Sequence, residues 1–258
     1  ELARQAAEYN KVSGLHLEVD TGMNRAGLPP DEVADFAAFV EQEPNLRIAG
    51  VMTHFAAADD AAEDEFTRQQ LALFHKALAD LQSRGIRPPL IHAANTAAAW
   101  RFPQARFDMV RIGLGLYGLH PSEDVATEAR QVQGALQFTT RVLHIHDISA
   151  GESVGYGRTW KADSPRVLAT IAAGYNDGLP RFLSNRGQVL INGHFCPLVG
   201  NICMDVAVVD ITDAGLVQVG DEVVLFGTQE DRSVHIDEWA AMGHTISYEL
   251  LCNISPRV

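Results

Sequence analysis

Between residues 15 and 113 four short apolar runs recur, each closing on polar side chains, and the first three lead through a loop into a stretch with helical spacing. Residues 15–20 (Leu-His-Leu-Glu-Val-Asp) alternate as a strand does and lead through a loop at 21–28 and Pro29-Pro30 into a helical stretch at 31–43. Residues 47–54 precede a helix at 60–84 whose acidic start suits the positive end of a helix dipole. Residues 89–94 precede a short helix, and 107–113 form the fourth run. Strands alternating with helices build right-handed βαβ units on a parallel sheet; four such units make half of a (β/α)8 barrel or a small open sheet. Residues 1–9 read as the tail of an amphipathic helix without a cap, so the chain is expected to begin inside an element.

From residue 135 the pattern changes character. Runs at 135–148, 167–173, 188–191, 195–198, 203–211 and 222–226 are short and β-rich, separated by Gly, Asn and Asp turns, and Asn192-Gly193 is a hairpin signature. A mainly antiparallel β domain, barrel or sandwich, is expected, followed by a helix at 237–251. The expected organisation is a partial barrel domain at 1–122, a polar connector at 123–133 and a C-terminal β-rich domain at 134–258. The 33 acidic against 20 basic side chains, with no Lys/Arg run, oppose binding to a nucleic acid backbone. No apolar run has membrane length, and no basic segment leads an apolar one at the start, so neither membrane insertion nor secretion is expected. Cys196, Cys203 and Cys252 are odd in number and widely spaced, which points to no disulfide framework and no cysteine metal site; a reducing, cytoplasmic setting fits.

Active groups of a (β/α) barrel gather at the C-terminal ends of its strands. Here those ends carry Asp20 and Arg25, His54, Asn95 and Thr96, and Arg111. Singly each has a structural explanation, Arg25 as a partner of Asp20 for example; together they favour a site. In the second half Tyr156 stands between Gly155 and Gly157, in a stretch that can turn tightly and present a phenol able to donate, accept or carry a proton. On that stretch alone a hairpin tyrosine is the simpler reading.

The combined motifs resemble the alanine racemases, pyridoxal-phosphate enzymes of fold type III. They are Leu17-Glu18-Val19-Asp20-Thr21-Gly22-Met23-Asn24-Arg25-Ala26-Gly27, Thr53-His54-Phe55, His92-Ala93-Ala94-Asn95-Thr96-Ala97, Val110-Arg111-Ile112-Gly113, Val154-Gly155-Tyr156-Gly157, Gly174-Tyr175-Asn176-Asp177-Gly178, Val199-Gly200-Asn201-Ile202-Cys203-Met204-Asp205 and Thr245-Ile246-Ser247-Tyr248-Glu249. The resemblance implies two-base proton transfer between L- and D-alanine on pyridoxal 5'-phosphate. Tyr156 would move the Cα proton of the L-enantiomer, working in the site of a partner subunit. His54 would bond that phenol, and Arg111 would reach the pyridine nitrogen. The phosphate would lie among Asn95, Thr96, Gly113, Leu114 and Tyr248. Arg25 and the backbone of Met204 would meet the substrate carboxylate, Asp205 would belong to the same substrate-binding set, and Tyr175, Arg181, Asp59 and Ile246 would line an access channel narrow enough to favour a small side chain. A homodimer with shared sites and an amino acid substrate follow from the same resemblance.

The sequence departs from the family pattern at three places. Glu18 stands where many members carry a carbamylated lysine, and strand alternation turns it inward, where it can support Arg25 directly. Asn201 replaces an arginine often found at the channel. The family's Schiff-base lysine, in a motif resembling Lys-Ala-Asp-Ala-Tyr-Gly on the first barrel strand, has no match among Lys11, Lys76 and Lys161. The four strands correspond to the second half of the barrel, so these 258 residues alone are expected not to racemise alanine. A racemase for serine or a broader set of amino acids, and a non-catalytic module that binds the cofactor or an amino acid, are the alternatives.

Overall fold

Leu17 and Val19 alternate with His16 and Glu18, and the alternation buries the two apolar side chains while leaving the histidine and the carboxylate less covered. The computed structural model describes residues 1–125 and 132–258. It divides into two compact units, Glu1–Gln133 and Gly134–Val258. The polar connector expected at 123–133 falls largely on residues 126–131, outside the described residues.

In the first unit, helix α1 (Leu2–Glu8) precedes strand β1 (Ser13–Val19), which is followed by α2 (Val33–Glu41), β2 (Leu46–Thr53), α3 (Asp64–Ser83), β3 (Ile91–His92) and α4 (Thr96–Arg101). The three strands pair in parallel in the order β1-β2-β3. The buried residues of α2, Val33, Ala37 and Val40, and of α3, Phe74, Ala77 and Leu81, recur at spacings of three and four. They form one apolar cluster with Leu17, Val19 and Val51 of the strands, the packing that a βαβ sheet requires.

Two expected strands differ. Of 89–94 only Ile91 and His92 are strand, with the Leu90 carbonyl also accepting the Val51 N–H at 2.9 Å; Pro89 has no N–H to donate, and Asn95 already caps α4, its side chain accepting from the Ala98 N–H at 2.9 Å. The run at 107–113 forms no ladder strand. It follows β3 with two bonds, Asp108 N–H to the Ile91 carbonyl at 3.0 Å and Arg111 N–H to the Ala94 carbonyl at 2.9 Å. The Asp108 carboxylate takes the Ile91 N–H at 2.8 Å, a donor that a further ladder bond would use.

The second unit holds β4 (Phe138–Ile148), β5 (Ser153–Val154), β6 (Trp160–Lys161), β7 (Arg166–Ile171), β8 (Gln188–Ile191), β9 (His194–Pro197), β10 (Ala207–Asp210), β11 (Glu222–Gln229) and β12 (Arg232–Val234). Seven of these make an antiparallel sheet in the order β10-β7-β4-β11-β8-β9, with β12 on β11, and β5-β6 is a separate ribbon. A bridge between Leu198 and Val209 joins the two ends of that order, so the sheet closes on itself as a barrel does. Asn192-Gly193, both at positive φ, turns the β8–β9 hairpin.

The run expected at 203–211 is a strand only at Ala207–Asp210, since the carbonyls of Cys203 and Met204 are taken by the Tyr175 and Asn176 N–H groups at 3.0 and 2.9 Å. The helix expected at 237–251 is two helices, α5 (Ile236–Gly243) and α6 (Ser247–Cys252). His244, at φ +52°, ends the first in a left-handed cap, with the Thr245 N–H closing on the Ala240 carbonyl at 3.0 Å. No described helix is long and apolar enough to cross a membrane.

Candidate active site

The loop after β1 folds back onto its own strand. Leu28 N–H donates to the Glu18 carbonyl at 2.8 Å and Asp20 N–H to the Leu28 carbonyl at 2.8 Å. So close a return needs Gly27, at φ +109°, where a Cβ would stand 2.9 Å from the Glu18 carbonyl oxygen. Asp20 does not pair with Arg25. Its carboxylate accepts the Gly22 and Asn24 N–H groups, each at 3.0 Å, and these bonds hold it below the usual carboxylate range. Arg25, at the exposed side of this loop, has its guanidinium 4.0 Å from the Glu18 carboxylate. The distance is that of an ion pair, not a hydrogen bond, and exposure of Arg25 keeps its contribution small.

Arg111 is the hub of the unit. Its Nη2 donates to the Thr53 and Ala93 carbonyls at 3.0 and 3.1 Å and lies 2.9 Å from His54 Nδ1; its Nη1 lies 2.8 Å from His92 Nδ1. A guanidinium can only donate, so both Nδ1 atoms accept. Burial, with the Arg111 charge second, pushes His54 below its ordinary value, and the same causes push His92 down to about 4. Both imidazoles are therefore neutral at neutral pH, and each carries its proton on Nε2. His92 Nε2–H donates to His16 Nδ1 at 2.8 Å. Among the described residues His54 Nε2–H makes no hydrogen bond, so it can donate to an incoming oxygen. Burial also lowers Arg111, which stays charged because its ordinary value is so high.

A buried amide braces this arrangement from below. Gln70 of α3, fully buried, accepts the Ala56 N–H at 3.0 Å and donates to the His54 carbonyl at 3.2 Å and to Thr21 Oγ1 at 3.3 Å. Thr21 in turn meets Thr53 Oγ1 at 2.7 Å, so the loops after β1 and β2 are tied to one helix. His16, His92 and Gln70 were not among the expected site residues. His16 shares a strand face with Glu18 by alternation and His92 opens a quoted motif, so both were within reach; Gln70 carries no sequence signal.

Thr96 and Gly113 meet directly, the Gly113 N–H donating to Thr96 Oγ1 at 3.0 Å. The N–H of Leu114 heads a 3-10 turn (Leu114–Tyr117) and has no partner inside it. Among the described residues, no heavy atom other than those of Gly113 and its two chain neighbours lies within 4 Å of where a Gly113 Cβ would be. Asn95 spends its side chain on the α4 cap. The Asp59 carbonyl accepts from Ser122 Oγ at 2.5 Å.

In the second unit Tyr156 opens a 3-10 turn between Gly155 (φ +69°) and Gly157 (φ +74°), and its side chain is 75% exposed. Met204 is exposed, and Asp205 pairs with Arg257 at 2.9 Å; Arg257 also reaches Asp177 at 2.8 Å. Tyr175 and Arg181 line a cavity of about 460 Å³ that Thr245 and Glu249 also line. Ile246 is exposed and Tyr248 is partly exposed on α6.

The depressed His92 makes stability depend on pH. The unfolded chain takes up this proton below about 6.5, while the folded chain refuses it down to about 4, so the contribution is whole above pH 6.5 and is lost as the pH falls towards 4. The loss amounts to at most about 3 kcal/mol. Urea melts over pH 7 to 4 should show it, and the His92→Asn variant should lack about one proton of that slope.

The first unit is thus a parallel βα sheet with a cationic hub at its strand ends, and the second a closed antiparallel sheet with a glycine-flanked tyrosine, a two-domain α/β arrangement. Residues 1–121 match the family model described as alanine racemase, N-terminal domain, and residues 135–258 match alanine racemase, C-terminal domain. The chain belongs to the alanine racemase family. It is 40% identical over 257 residues to the alanine racemase of Halothermothrix orenii and 42% identical over 257 residues to that of Symbiobacterium thermophilum, covering all of this chain and 67% and 68% of those proteins. The crystal structure of alanine racemase from D-cycloserine-producing Streptomyces lavendulae superposes with a TM-score of 0.91 at 35% identity, over 99% of this chain and 68% of that one. The alanine racemase of Bacillus anthracis with bound L-Ala-P gives 0.87 at 33%, over 99% and 67%.

Proposed function

We propose that the Arg111 hub of the first unit and the Tyr156 turn of the second are parts of one kind of site, which interconverts L- and D-alanine on pyridoxal 5'-phosphate. Racemisation on this cofactor is the reaction of the family. The observation that carries the assignment of residues is Arg111, a permanent cation held by two neutral imidazoles and two carbonyls. When bound, the cofactor supplies an electron sink for the negative charge left at Cα. Arg111 can donate to a pyridine nitrogen but cannot readily give up its proton, which keeps that sink weak and disfavours side reactions such as transamination.

The residues present fit the cofactor's anionic end. Because Thr96 Oγ1 accepts from Gly113, its own proton remains to be donated elsewhere, and the Leu114 N–H at the head of its turn has no partner within that turn, so both would be donors to an anion. Asn95, Gly113 and Tyr248 complete the proposed phosphate environment, Gly113 as the backbone that leaves room rather than as a donor. Arg25, supported by Glu18, and the backbone of Met204 would meet a carboxylate, with Asp205, paired to Arg257, beside them in the substrate-binding set; Tyr175, Arg181, Asp59 and Ile246 would line the approach. Lys11 precedes β1, Lys76 pairs with Asp80 on α3 and Lys161 lies in β6, so none stands at a strand end of the first unit. The lysine that the resemblance requires is not among these 258 residues, which by themselves are proposed not to racemise alanine. The proposed setting is the cytoplasm, in keeping with three free cysteines.

Tyr156 is proposed to work against His54 of a second copy, where the His54 Nε2–H would stabilise its phenolate. Co-expression tests this in the full-length protein. Arg111→Lys chains and Tyr156→Phe chains are each nearly inactive as homodimers. Mixed dimers hold one site with both native residues, so a random mixture should recover about a quarter of native racemase activity. Recovery no greater than the sum of the two variants would contradict the shared site.

A further inference from the structure

Tyr156 is an exposed side chain on a turn whose backbone makes few bonds of its own; Arg158, at its end, donates from Nε to Ser153 Oγ at 2.7 Å. The turn (Tyr156–Arg158) has Gly155, Gly157 and Arg158 all at positive φ, and its one internal bond, Arg158 N–H to the Gly155 carbonyl, is long at 3.3 Å. With 75% of the tyrosine exposed, packing does not aim the phenol; the peptide it is attached to does. Among the described residues one side chain bonds that peptide. Asn201 Nδ2 donates to the Tyr156 carbonyl at 2.8 Å, and a Cβ at Gly157 would stand 3.5 Å from the same nitrogen.

Asn201 is itself fixed by its neighbours. The Gly200 N–H donates to Asn185 Oδ1 at 2.6 Å, and the Ile202 N–H donates to Ser184 Oγ at 3.0 Å. Asn185 Nδ2 reaches Thr159 Oγ1 at 3.0 Å, on the far end of the tyrosine turn. Two carboxamides thus hold the turn at both ends, one at Tyr156 and one at Thr159, from the loop segments 184–185 and 200–202. Asn201 stands where the family pattern often has an arginine, so this anchor belongs to the residues of this chain and not to the motif that identified it.

We propose that Asn201 is a positioning residue for Tyr156, fixing the peptide from which the phenol reaches the substrate Cα. The assignment rests on the racemase reading above. A proton-transferring group displaced by about 1 Å can cost roughly 10²-fold in rate. The Asn201→Asp variant keeps the shape but turns a donor into a second acceptor facing the Tyr156 carbonyl; Asn201→Ala removes the group and adds no charge.

The test uses both variants in the full-length protein loaded with pyridoxal 5'-phosphate, with two readouts. Hydrogen exchange in peptides covering 153–160 should quicken by about fivefold, the value of one lost hydrogen bond, with the rest of the second unit unchanged. In steady state, kcat with L-alanine should fall about ten- to a hundredfold at nearly constant KM. The isotope effect of a Cα deuterium should rise for L-alanine and not for D-alanine, as expected when only the group on one face is misplaced. Unchanged exchange, or a loss confined to KM, would overturn the assignment, the second outcome making Asn201 a channel-lining residue. A native protein that does not turn over alanine defeats the racemase reading and with it the catalytic role of the anchor, whereas unchanged exchange defeats the anchor alone.

Discussion

Arg111→Lys is expected to lower kcat/KM for alanine by about 10²–10³-fold in the full-length enzyme, the scale on which a preorganised charge-stabilising donor contributes. Arg111 faces four acceptors at once, His92 Nδ1 at Nη1 and His54 Nδ1 with the Thr53 and Ala93 carbonyls sharing the two protons of Nη2, and these acceptors converge from different strand ends on one planar fork. A lysine offers three protons from one point and cannot serve all four. His54 then loses the donor that fixes its tautomer, and its Nε2 no longer reliably carries the proton that a phenolate would accept. At least one buried acceptor is left unpaired, at about 1–3 kcal/mol. Steady-state kinetics beside urea melts check both halves, and the kinetic loss should exceed what the melt alone explains.

Tyr156→Phe should leave the fold as it is and lower racemisation by about 10²–10⁴-fold, the range for a positioned acid–base group. The side chain is 75% exposed and makes no side-chain hydrogen bond among the described residues, so the urea midpoint should move by no more than about 0.5 kcal/mol in stability. A protonated phenol has no base to offer until its proton is removed. Its usefulness depends on a neighbour that favours the phenolate, which is the part proposed for the Nε2–H of a partner's His54. Unequal effects on activity and stability separate this role from that of a turn residue.

Much of the first unit was legible because its signals are local and periodic. Alternation in β1, spacings of three and four in α2 and α3, and polar groups at successive strand ends all follow from the chain's own period. The fourth strand was not, because whether 107–113 joins a ladder depends on the Asp108 carboxylate capturing the Ile91 N–H, a choice between two acceptors 17 residues away from the donor. The break at His244 was hidden for a similar reason, a left-handed residue in a stretch whose composition is helical throughout. The site residues came mostly through motifs, and the geometry added what motifs omit. Glu18 does face Arg25, at ion-pair distance only. Gly113 spends its N–H on Thr96. Gln70 braces two loops from a helix, and a buried amide among helix polar residues has no pattern that marks it.

The most direct test of Tyr156 as the proton carrier of one face is wash-out of the Cα hydrogen into D2O, followed separately for each enantiomer with the full-length Tyr156→Phe enzyme. The base on the opposite face is untouched, so D-alanine should still exchange within about tenfold of the native rate, while L-alanine exchange falls about 10²-fold or more. Equal slowing of both enantiomers, or no slowing of L-alanine, would contradict the assignment.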